Sequence, residues 1–382
     1  MKVVALMLLA AVVAVAAPAS RDVDITAPDG TRLKATYFPA DRPGPGVLLL
    51  HMCITTRASW EPVARQLSAA GIHALTIDNR GFGDSGGPRF QGAPADVVQA
   101  VRAQWPGDFD AALAWLVSQP GVDKTRIGVG GGSCGVDNAV NLASRHPDVR
   151  ALVLLAGMTD EKGLDYLTKN PWLPIFSAAA ADDQYDNRAL DTMRFFADAS
   201  GNARNRFVGF KDGGHGTEMF DPHPELPRQI VSWFVDALVT SPAVHNAPFK
   251  RRATAASEFW SAVNAPRGSA KAAQIFHDAR RRDPGAFVFP EAMVNRLAYA
   301  KLQGGAADEA VTLFKLNVEA FPASANAQDS LSDGYLALGQ NDLALAAAQK
   351  CLELLPGDTI NDGLKGQLRQ LAEQKIAKLK AR

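Results

Sequence analysis

The clearest chemical signal in the sequence is Gly131-Gly132-Ser133-Cys134-Gly135, which fits the pattern G-x-S-x-G. The motif follows an apolar run at residues 126–130 and precedes an amphipathic stretch that starts near Val136. A nucleophilic serine at such a strand-to-helix turn needs glycines on both sides, because Cβ atoms would collide there. The pattern therefore predicts Ser133 as a nucleophile. A plain tight turn is the alternative; a phosphate-binding loop would need Gly-Lys-Ser/Thr, which is missing.

A serine hydroxyl is a weak nucleophile and needs a base. His215 lies in Gly213-Gly214-His215-Gly216, directly after an apolar run at residues 205–211. Flanking glycines would let the imidazole swing over the turn that carries Ser133, whereas a histidine standing alone in such a loop would be an ordinary surface residue. With the serine motif upstream, His215 is predicted to be the general base.

The acid that orients the histidine is expected between Ser133 and His215, at the end of a strand. Asp182 and Asp183 end the apolar run at residues 174–181. Asp183 is preferred, since Asp182 adjoins the strand and the next residue begins the loop that faces the histidine. Asp182 and, more weakly, Asp186 stay open as alternatives.

The oxyanion formed on attack needs two backbone N–H donors. Cys134, the residue after the nucleophile, supplies the first by position. The second is expected in His51-Met52-Cys53-Ile54, directly after an apolar strand, from the Cys53 N–H. His51 is expected to support this loop and not to transfer a proton.

Short apolar runs alternate with amphipathic stretches from residue 22 to residue 238. Strands without polar alternation are typical of a parallel sheet with helices on both faces. The pattern predicts an α/β doubly wound, mostly parallel sheet, with an antiparallel hairpin at its edge formed by residues 22–27 and 31–39. Further strands are predicted at residues 46–51, 73–78, 126–130, 151–157, 174–180 and 205–211, and helices at 60–70, 108–118, 136–145, 188–199 and 225–239.

After residue 240 the pattern is helical only. Residues 34 positions apart match, among them Leu297/Leu331, Gly305/Gly339, Ala310/Ala344 and Pro322/Pro356. This is the period of a tetratricopeptide array, and Ala272, Phe276 and Pro284 suggest an earlier unit. A last helix at residues 363–380 would cap the stack; an unrelated helical bundle is the alternative. The predicted organisation is an α/β domain at 20–240, a linker at 241–252 and a tetratricopeptide-like repeat domain at 253–382.

The first residues differ from the rest of the chain. Lys2, an apolar run at residues 3–16 and Ala17-Pro18-Ala19 predict a signal peptide at residues 1–19, and with it export to the periplasm or medium. A membrane anchor is the alternative, but the run is shorter than the ~20 residues that a span needs. With no second long apolar stretch, no membrane span is expected after cleavage.

The composition excludes several classes of function. Forty basic and forty acidic side chains among 382 residues leave no net charge, which disfavours nucleic acid as a partner. Three scattered cysteines are too few for a disulfide-built scaffold or a zinc site. No metal or organic cofactor is expected.

A resemblance to a known family supports the predicted fold and site residues. Residues 78–85, Asp-Asn-Arg-Gly-Phe-Gly-Asp-Ser, match the D-x-R-G-x-G-x-S stretch of the α/β-hydrolase superfamily, which residues 22–239 resemble. The resemblance implies a catalytic triad of Ser133, Asp183 and His215, with oxyanion donors at Cys53 and Cys134. The short segment from residue 157 to residue 174 leaves no room for a large lid, as in the small, dienelactone-hydrolase-like branch.

Two departures from that branch are visible. The branch often has a cysteine nucleophile, so Cys134 is a second candidate, although it would give G-x-C-x-V. The usual His-Gly of the oxyanion loop is His51-Met52 here. Because Cys53 and Cys134 are both placed at the oxyanion hole, a disulfide bond between them is a further hypothesis for an oxidising compartment.

These residues predict an exported serine hydrolase that cleaves a carboxylic ester, lactone or related acyl bond of a small molecule through an acyl-enzyme. Peptidase or amidase activity would use the same residues. The competing hypothesis is an inactive hydrolase-fold protein that binds a partner through its repeats. The repeats could also serve self-association.

Overall fold

The computed structural model describes residues 19–185, 188–250, 252–360 and 362–381. Most of the predicted signal peptide, residues 1–18, lies outside these ranges. The first part of the chain forms one eight-stranded sheet in the order β1-β2-β4-β3-β5-β6-β7-β8. The strands are β1 Arg21–Thr26, β2 Arg32–Phe38, β3 Gly44–Leu50, β4 His73–Ile77, β5 Val122–Gly132, β6 Val149–Leu155, β7 Ile175–Ala180 and β8 Arg206–Phe210.

The edge strands β1 and β2 form the predicted antiparallel hairpin, and β2 also pairs antiparallel with β4. The remaining neighbours pair in parallel. The carboxyl ends of β3, β5, β7 and β8 therefore lie at one edge of the sheet, the usual position of ligand sites in such folds.

Helices cover both faces of the sheet, so two buried apolar layers enclose it. This confirms the predicted α/β-hydrolase architecture. The helices of this part are α1 Glu61–Ala69, α2 Ala95–Val117, α3 Cys134–Arg145, α4 Glu161–Lys169, α5 Ala189–Ala199 and α6 Glu225–Val235, which a π-helical turn, Asp236–Thr240, continues.

Two helices differ from the sequence-based expectation. The helix expected at residues 108–118 starts at Ala95 and runs through Pro106. A proline removes a helical hydrogen bond, but Val101 and Trp105 on the added turns are buried in the core, and this burial favours the helix. Residues 157–174, for which no element was predicted, contain α4, whose N-cap Asp160 accepts a hydrogen bond from the Gly163 N–H at 2.7 Å.

The chain then continues as an all-helical region. Glu291 and Ala325, which begin α9 and α11, are 34 positions apart, as are Ala307 and Asn341, which begin α10 and α12. The helix boundaries thus repeat with the predicted period, and the assignment to tetratricopeptide repeats stays a prediction, as do the domain limits. The helices are α7 Ala255–Val263, α8 Ser269–Arg282, α9 Glu291–Gln303, α10 Ala307–Ala320, α11 Ala325–Ala337, α12 Asn341–Leu354 and α13 Asp362–Lys380.

The helical region packs directly on the sheet domain, and one hydrophobic core contains residues of both. Phe195 of α5 meets Trp260 of α7 edge to face, with ring centroids 5.7 Å apart. Thr254 Oγ1 donates to the Asp198 carbonyl at 2.8 Å, and Arg296 Nη1 donates to the Thr159 carbonyl at 3.1 Å. Among the helices in the described ranges, none combines the length and the apolar character that a bilayer crossing requires.

Candidate active site

Ser133 occupies a strained turn between β5 and α3. Its backbone has φ 53° and ψ −122°, a combination that residues with a Cβ rarely adopt. The Ser133 N–H donates to the Leu155 carbonyl at 2.9 Å, which ties the turn to the end of β6. The strain is thus held by the sheet, as expected for a nucleophile elbow.

The glycines around Ser133 are required by close backbone approaches. A Cβ on Gly131 would collide with the Gly135 carbonyl, and a Cβ on Gly157 would collide with the Ser133 carbonyl. On Gly135, a Cβ would come within 2.5 Å of the Leu50 carbonyl at the end of β3. The elbow therefore fits tightly between the ends of β3 and β6.

His215 and Asp183 form a buried pair. His215 Nδ1 lies 2.6 Å from Asp183 Oδ2, and both residues are only 4% exposed. The Tyr185 N–H donates to the other carboxylate oxygen, Asp183 Oδ1, at 2.9 Å, and the Tyr185 ring lies 5.0 Å from the imidazole, centroid to centroid. The carboxylate therefore fixes the ring through Nδ1, which leaves Nε2 as the nitrogen for proton exchange with a substrate or nucleophile.

Asp182, the alternative acid, has a different role in the structure. Its carboxylate is exposed and accepts hydrogen bonds from the Gly214 and Gly213 N–H groups at 3.0 and 3.2 Å. The hydrogen bond from Gly214 is the main cause that lowers the pKa of Asp182. Asp182 thus holds the glycine loop in front of His215. Asp186, the third candidate, lies outside the described residues.

Met52 joins the elbow to the loop that carries His215. It is fully buried, and its Sδ accepts a hydrogen bond from the Thr217 N–H at 3.4 Å. The Met52 Cγ lies 3.1 Å from the position of a Cβ on Gly132, and a Cβ on Gly216 would collide with the Met52 Sδ. The side chain of Met52 therefore fills the space between the residues that neighbour Ser133 and His215. Sequence reasoning noted Met52 only as a departure from His-Gly.

A disulfide bond joins the two predicted oxyanion donors, Cys53 and Cys134, as hypothesised. Their Cα atoms are 5.8 Å apart. The bond connects the loop after β3 to the first residue of α3, which directly follows Ser133. It also removes the Cys134 thiol, the second nucleophile candidate. Cys351, the third cysteine, is free and buried in the helical region.

His51 supports the same loop with both ring nitrogens. Nδ1 lies 2.6 Å from the Met52 carbonyl, and Nε2 accepts a hydrogen bond from the Asn79 N–H at 2.9 Å. Burial lowers the pKa of His51, so the neutral form with the proton on Nδ1 is favoured. This geometry agrees with the supporting role predicted for His51.

The stretch at residues 78–85 braces this edge of the sheet. Asp78, fully buried, accepts hydrogen bonds from the N–H groups of Arg57 and Asp84 at 2.7 and 2.9 Å. Arg80 forms a buried ion pair with Asp108 of α2 at 2.6 Å. These contacts give the stretch a structural role, to hold the loop that follows β4.

A cavity of about 810 Å³ opens beside the elbow. Its lining includes Cys134, further residues of α2 and α3, the loop after β6, and Arg296 from the helical region. Sequence reasoning missed the contribution of Arg296, since no local pattern shows which repeat residue meets the sheet domain. Among the described residues, no cluster of His, Cys, Asp and Glu side chains could hold a metal ion.

The sheet order, the elbow and the His215–Asp183 pair together define an α/β-hydrolase fold. In agreement, residues 45–204 match the family model described as alpha/beta hydrolase fold. The match covers less than half of the chain, and it includes the elbow and Asp183 but ends before His215.

Curated relatives match parts of the chain. An uncharacterized protein of Mycobacterium tuberculosis is 36% identical over 163 residues, which is 41% of this chain and 52% of the relative. A thiohydrolase of Eupenicillium brefeldianum is 30% identical over 142 residues, 36% of this chain and 43% of the relative. The chain thus spans about half the length of the curated relatives it matches.

A solved structure of dienelactone hydrolase from Anabaena variabilis is similar in fold. It has a TM-score of 0.43 and 18% sequence identity, and the alignment covers 58% of this chain and 99% of that one.

Proposed function

We propose that this protein is an exported serine hydrolase that cleaves a carboxylic ester, lactone or thioester of a small molecule through an acyl-enzyme. The observation that carries the proposal is the strained Ser133 between β5 and α3, next to a loop whose His215 is held at 2.6 Å by buried Asp183. The thiohydrolase among the relatives supports a thioester as one form of the acyl bond. The proposal includes the assignment of the protein to the dienelactone-hydrolase-like branch that the sequence predicts.

The proposed reaction has two halves. The Ser133 Oγ attacks the carbonyl carbon while His215 Nε2 takes the hydroxyl proton, and Asp183 stabilises the imidazolium through Nδ1. The negative charge on the former carbonyl oxygen is held by the Cys53 and Cys134 N–H groups. The carbon–oxygen or carbon–sulfur bond then breaks, and His215 returns the proton to the leaving group.

Water completes the cycle. His215 takes a proton from the water as its oxygen attacks the acyl-serine carbon, and it returns that proton to the Ser133 Oγ when the carboxylic acid product leaves. Apart from substrate and water, these steps use only groups of the chain, because every proton moves between water, substrate, Ser133 and His215. An amide could react by the same steps, so peptidase activity is tested alongside esters.

Two features support export. The predicted signal peptide directs the chain to an oxidising compartment, and the Cys53–Cys134 disulfide is of a kind that persists there.

Labelling with a fluorophosphonate tests the proposal without a guess at the substrate. The reagent reacts with activated serines, and peptide mass mapping finds the modified residue. We expect label on Ser133 of the wild type and none in Ser133→Ala or His215→Ala. Asp182→Asn, which leaves the pair intact, serves as a matched control and should still be labelled. An unlabelled, well-folded wild type would instead favour the inactive, partner-binding alternative.

A further inference from the structure

The cavity beside Ser133 extends along one face of α3. Cys134, Asp137, Asn138, Asn141 and Arg145 all line it, with the spacing of residues on one side of a helix. The eleven steps from Cys134 to Arg145, at 1.5 Å each, make this face about 17 Å long. One end lies at Cys134, the residue after the proposed nucleophile, so a molecule in the cavity could extend from the reacting carbonyl.

The position of the cavity identifies the part of the substrate that it would hold. Its described lining comes from α2, α3, α4, the loop after β6 and Arg296, and the loop that carries His215 contributes none of it. Because His215 protonates the leaving group, the leaving group must lie on the side of that loop. The cavity is therefore on the side of the acyl part.

Cationic side chains without carboxylate partners line the cavity. Arg102 lies over the rings of Phe90 and Trp105, at 5.3 and 5.7 Å from their centroids. Within the described ranges, Arg102, Lys162 and Arg296 form no ion pair; Arg296 donates only to the Thr159 carbonyl. Each of the three keeps donor capacity for an anion.

The remaining charged groups of the lining are already engaged. Arg145 is paired with Asp110 at 2.8 Å. Asp137 Oδ1 accepts from Thr159 Oγ1 and from the Asp160 N–H, both at 3.0 Å, and Asp160 caps α4.

One polar donor of the lining is buried. The Asn138 Nδ2 has no hydrogen-bond partner among the described residues. A buried amide donor without a partner is costly, but this nitrogen is closed to solvent, so a ligand would contact it only after the Asn138 side chain had turned.

We propose that this cavity binds an acyl group that ends in a carboxylate, and that Arg296 of the helical region recognises that carboxylate. The inference rests on the proposed function and names its substrate class, a half-ester or half-thioester of a dicarboxylic acid. It also gives the helical region a part in the active site, since Arg296 enters the cavity from α9.

Two chromogenic esters of similar length test this specificity. 4-Nitrophenyl butyrate has a neutral acyl group, and the mono-4-nitrophenyl ester of glutaric acid has an anionic one. In Arg296→Gln we expect kcat/KM for the glutarate ester to fall about tenfold, the usual effect of losing one charge-assisted hydrogen bond, and that for butyrate to stay within about twofold. Arg296→Lys, which keeps the charge, should recover part of the loss.

A matched control separates recognition from domain packing. Arg252 also joins the two parts of the chain, through an ion pair with Asp198, but does not line the cavity. Arg252→Gln should leave both esters unaffected. If Arg296→Gln lowered kcat/KM equally for both esters, or for neither, the proposal would be overturned.

Binding of glutarate tests the cavity even where no ester is cleaved. In calorimetry with Ser133→Ala, glutarate should bind at least tenfold more tightly than butyrate, and adding Arg296→Gln should abolish that preference. Loss of hydrolysis with this preference intact would contradict the proposed function alone. Hydrolysis of the butyrate ester without any preference for the glutarate ester or for glutarate would contradict the carboxylate site alone.

Discussion

Cys53 and Cys134 are joined by a disulfide bond across 81 positions of sequence, with their Cα atoms 5.8 Å apart. The bond joins the loop after β3 to the start of α3, at the residue that follows Ser133. A single covalent link therefore constrains both of the backbone segments that we propose as the oxyanion hole.

Replacing both cysteines by alanine should destabilise the protein and slow catalysis. Opening a loop of this length should lower the free energy of unfolding by about 2–5 kcal/mol, and kcat should fall because the two N–H donors lose their fixed spacing. Urea unfolding and ester kinetics measure the two effects. Cys351→Ala, which removes the free buried thiol, should leave the response of activity to a reductant unchanged. Equal kcat in the oxidised and reduced wild type would show that the bond does not position the donors.

Substitutions of the neighbouring residues Asp182 and Asp183 should lower kcat to very different extents. Asp183→Asn should lower kcat by about 10³–10⁴-fold, because the amide no longer holds His215 in the tautomer that accepts the serine proton. Asp182→Asn should lower kcat by less than about tenfold, since the Asp182 carboxylate accepts its hydrogen bonds from the Gly213 and Gly214 backbone and not from His215. Steady-state rates on a chromogenic ester provide the comparison, with circular dichroism as the check on folding. A larger loss in Asp182→Asn would make Asp182 the triad acid.

Met52→Ala should reduce both stability and turnover. The substitution empties the space between Gly132 and Gly216, with an expected cost of about 2–5 kcal/mol in the free energy of unfolding. With that support lost, His215 should be less well placed against Ser133, and kcat should fall more than KM rises. Met52→Leu nearly conserves the volume and should cost less than about 1.5 kcal/mol. The hypothesis fails if Met52→Ala matches Met52→Leu in chemical unfolding and in kcat.

Stability should decrease as the pH falls below about 6.5. Burial lowers the pKa of His51 and of His73 in the folded protein, while the unfolded chain binds a proton at each near pH 6.5. The unfolded state then binds more protons, so the free energy of unfolding decreases by up to about 1.4 kcal/mol per pH unit for each histidine. Carboxylates with a lowered pKa, such as Asp110 and Asp123, reduce the free energy of unfolding only at lower pH, near 4 and below.

Urea unfolding at pH 5.0, 6.0 and 7.5 measures this dependence. His73→Gln should reduce the slope between pH 5 and 6.5. His277→Gln, an exposed control on α8, should leave the slope as in the wild type. A slope that is unaffected by His73→Gln would assign the pH dependence to other groups.

Local patterns predicted the sheet and the turn at Ser133, and they gave Asp183 as the preferred partner of His215, with Asp182 and Asp186 as alternatives. Continuous apolar strands and the glycines around Ser133 and His215 are local features, and the order of parallel strands brings their carboxyl ends together. The contacts of Met52 and Arg296 depend on how elements far apart in the sequence pack together. No residue spacing in the sequence predicts this packing. The start of α2 was missed for the same reason, because burial of Val101 and Trp105 outweighs the local effect of Pro106.

The sheet domain and the helical region should unfold together. Their shared core, in which Phe195 packs against Trp260 at 5.7 Å, joins the first helices of the helical region to the sheet domain. We expect a single calorimetric transition for the wild type, and in Trp260→Ala a lower midpoint with a loss of about 3–5 kcal/mol. Trp260→Phe, which keeps an aromatic ring against Phe195, should lose less. Two separate transitions, of which Trp260→Ala moves only one, would show instead that the helical region is an independent module that could be removed without unfolding the hydrolase fold.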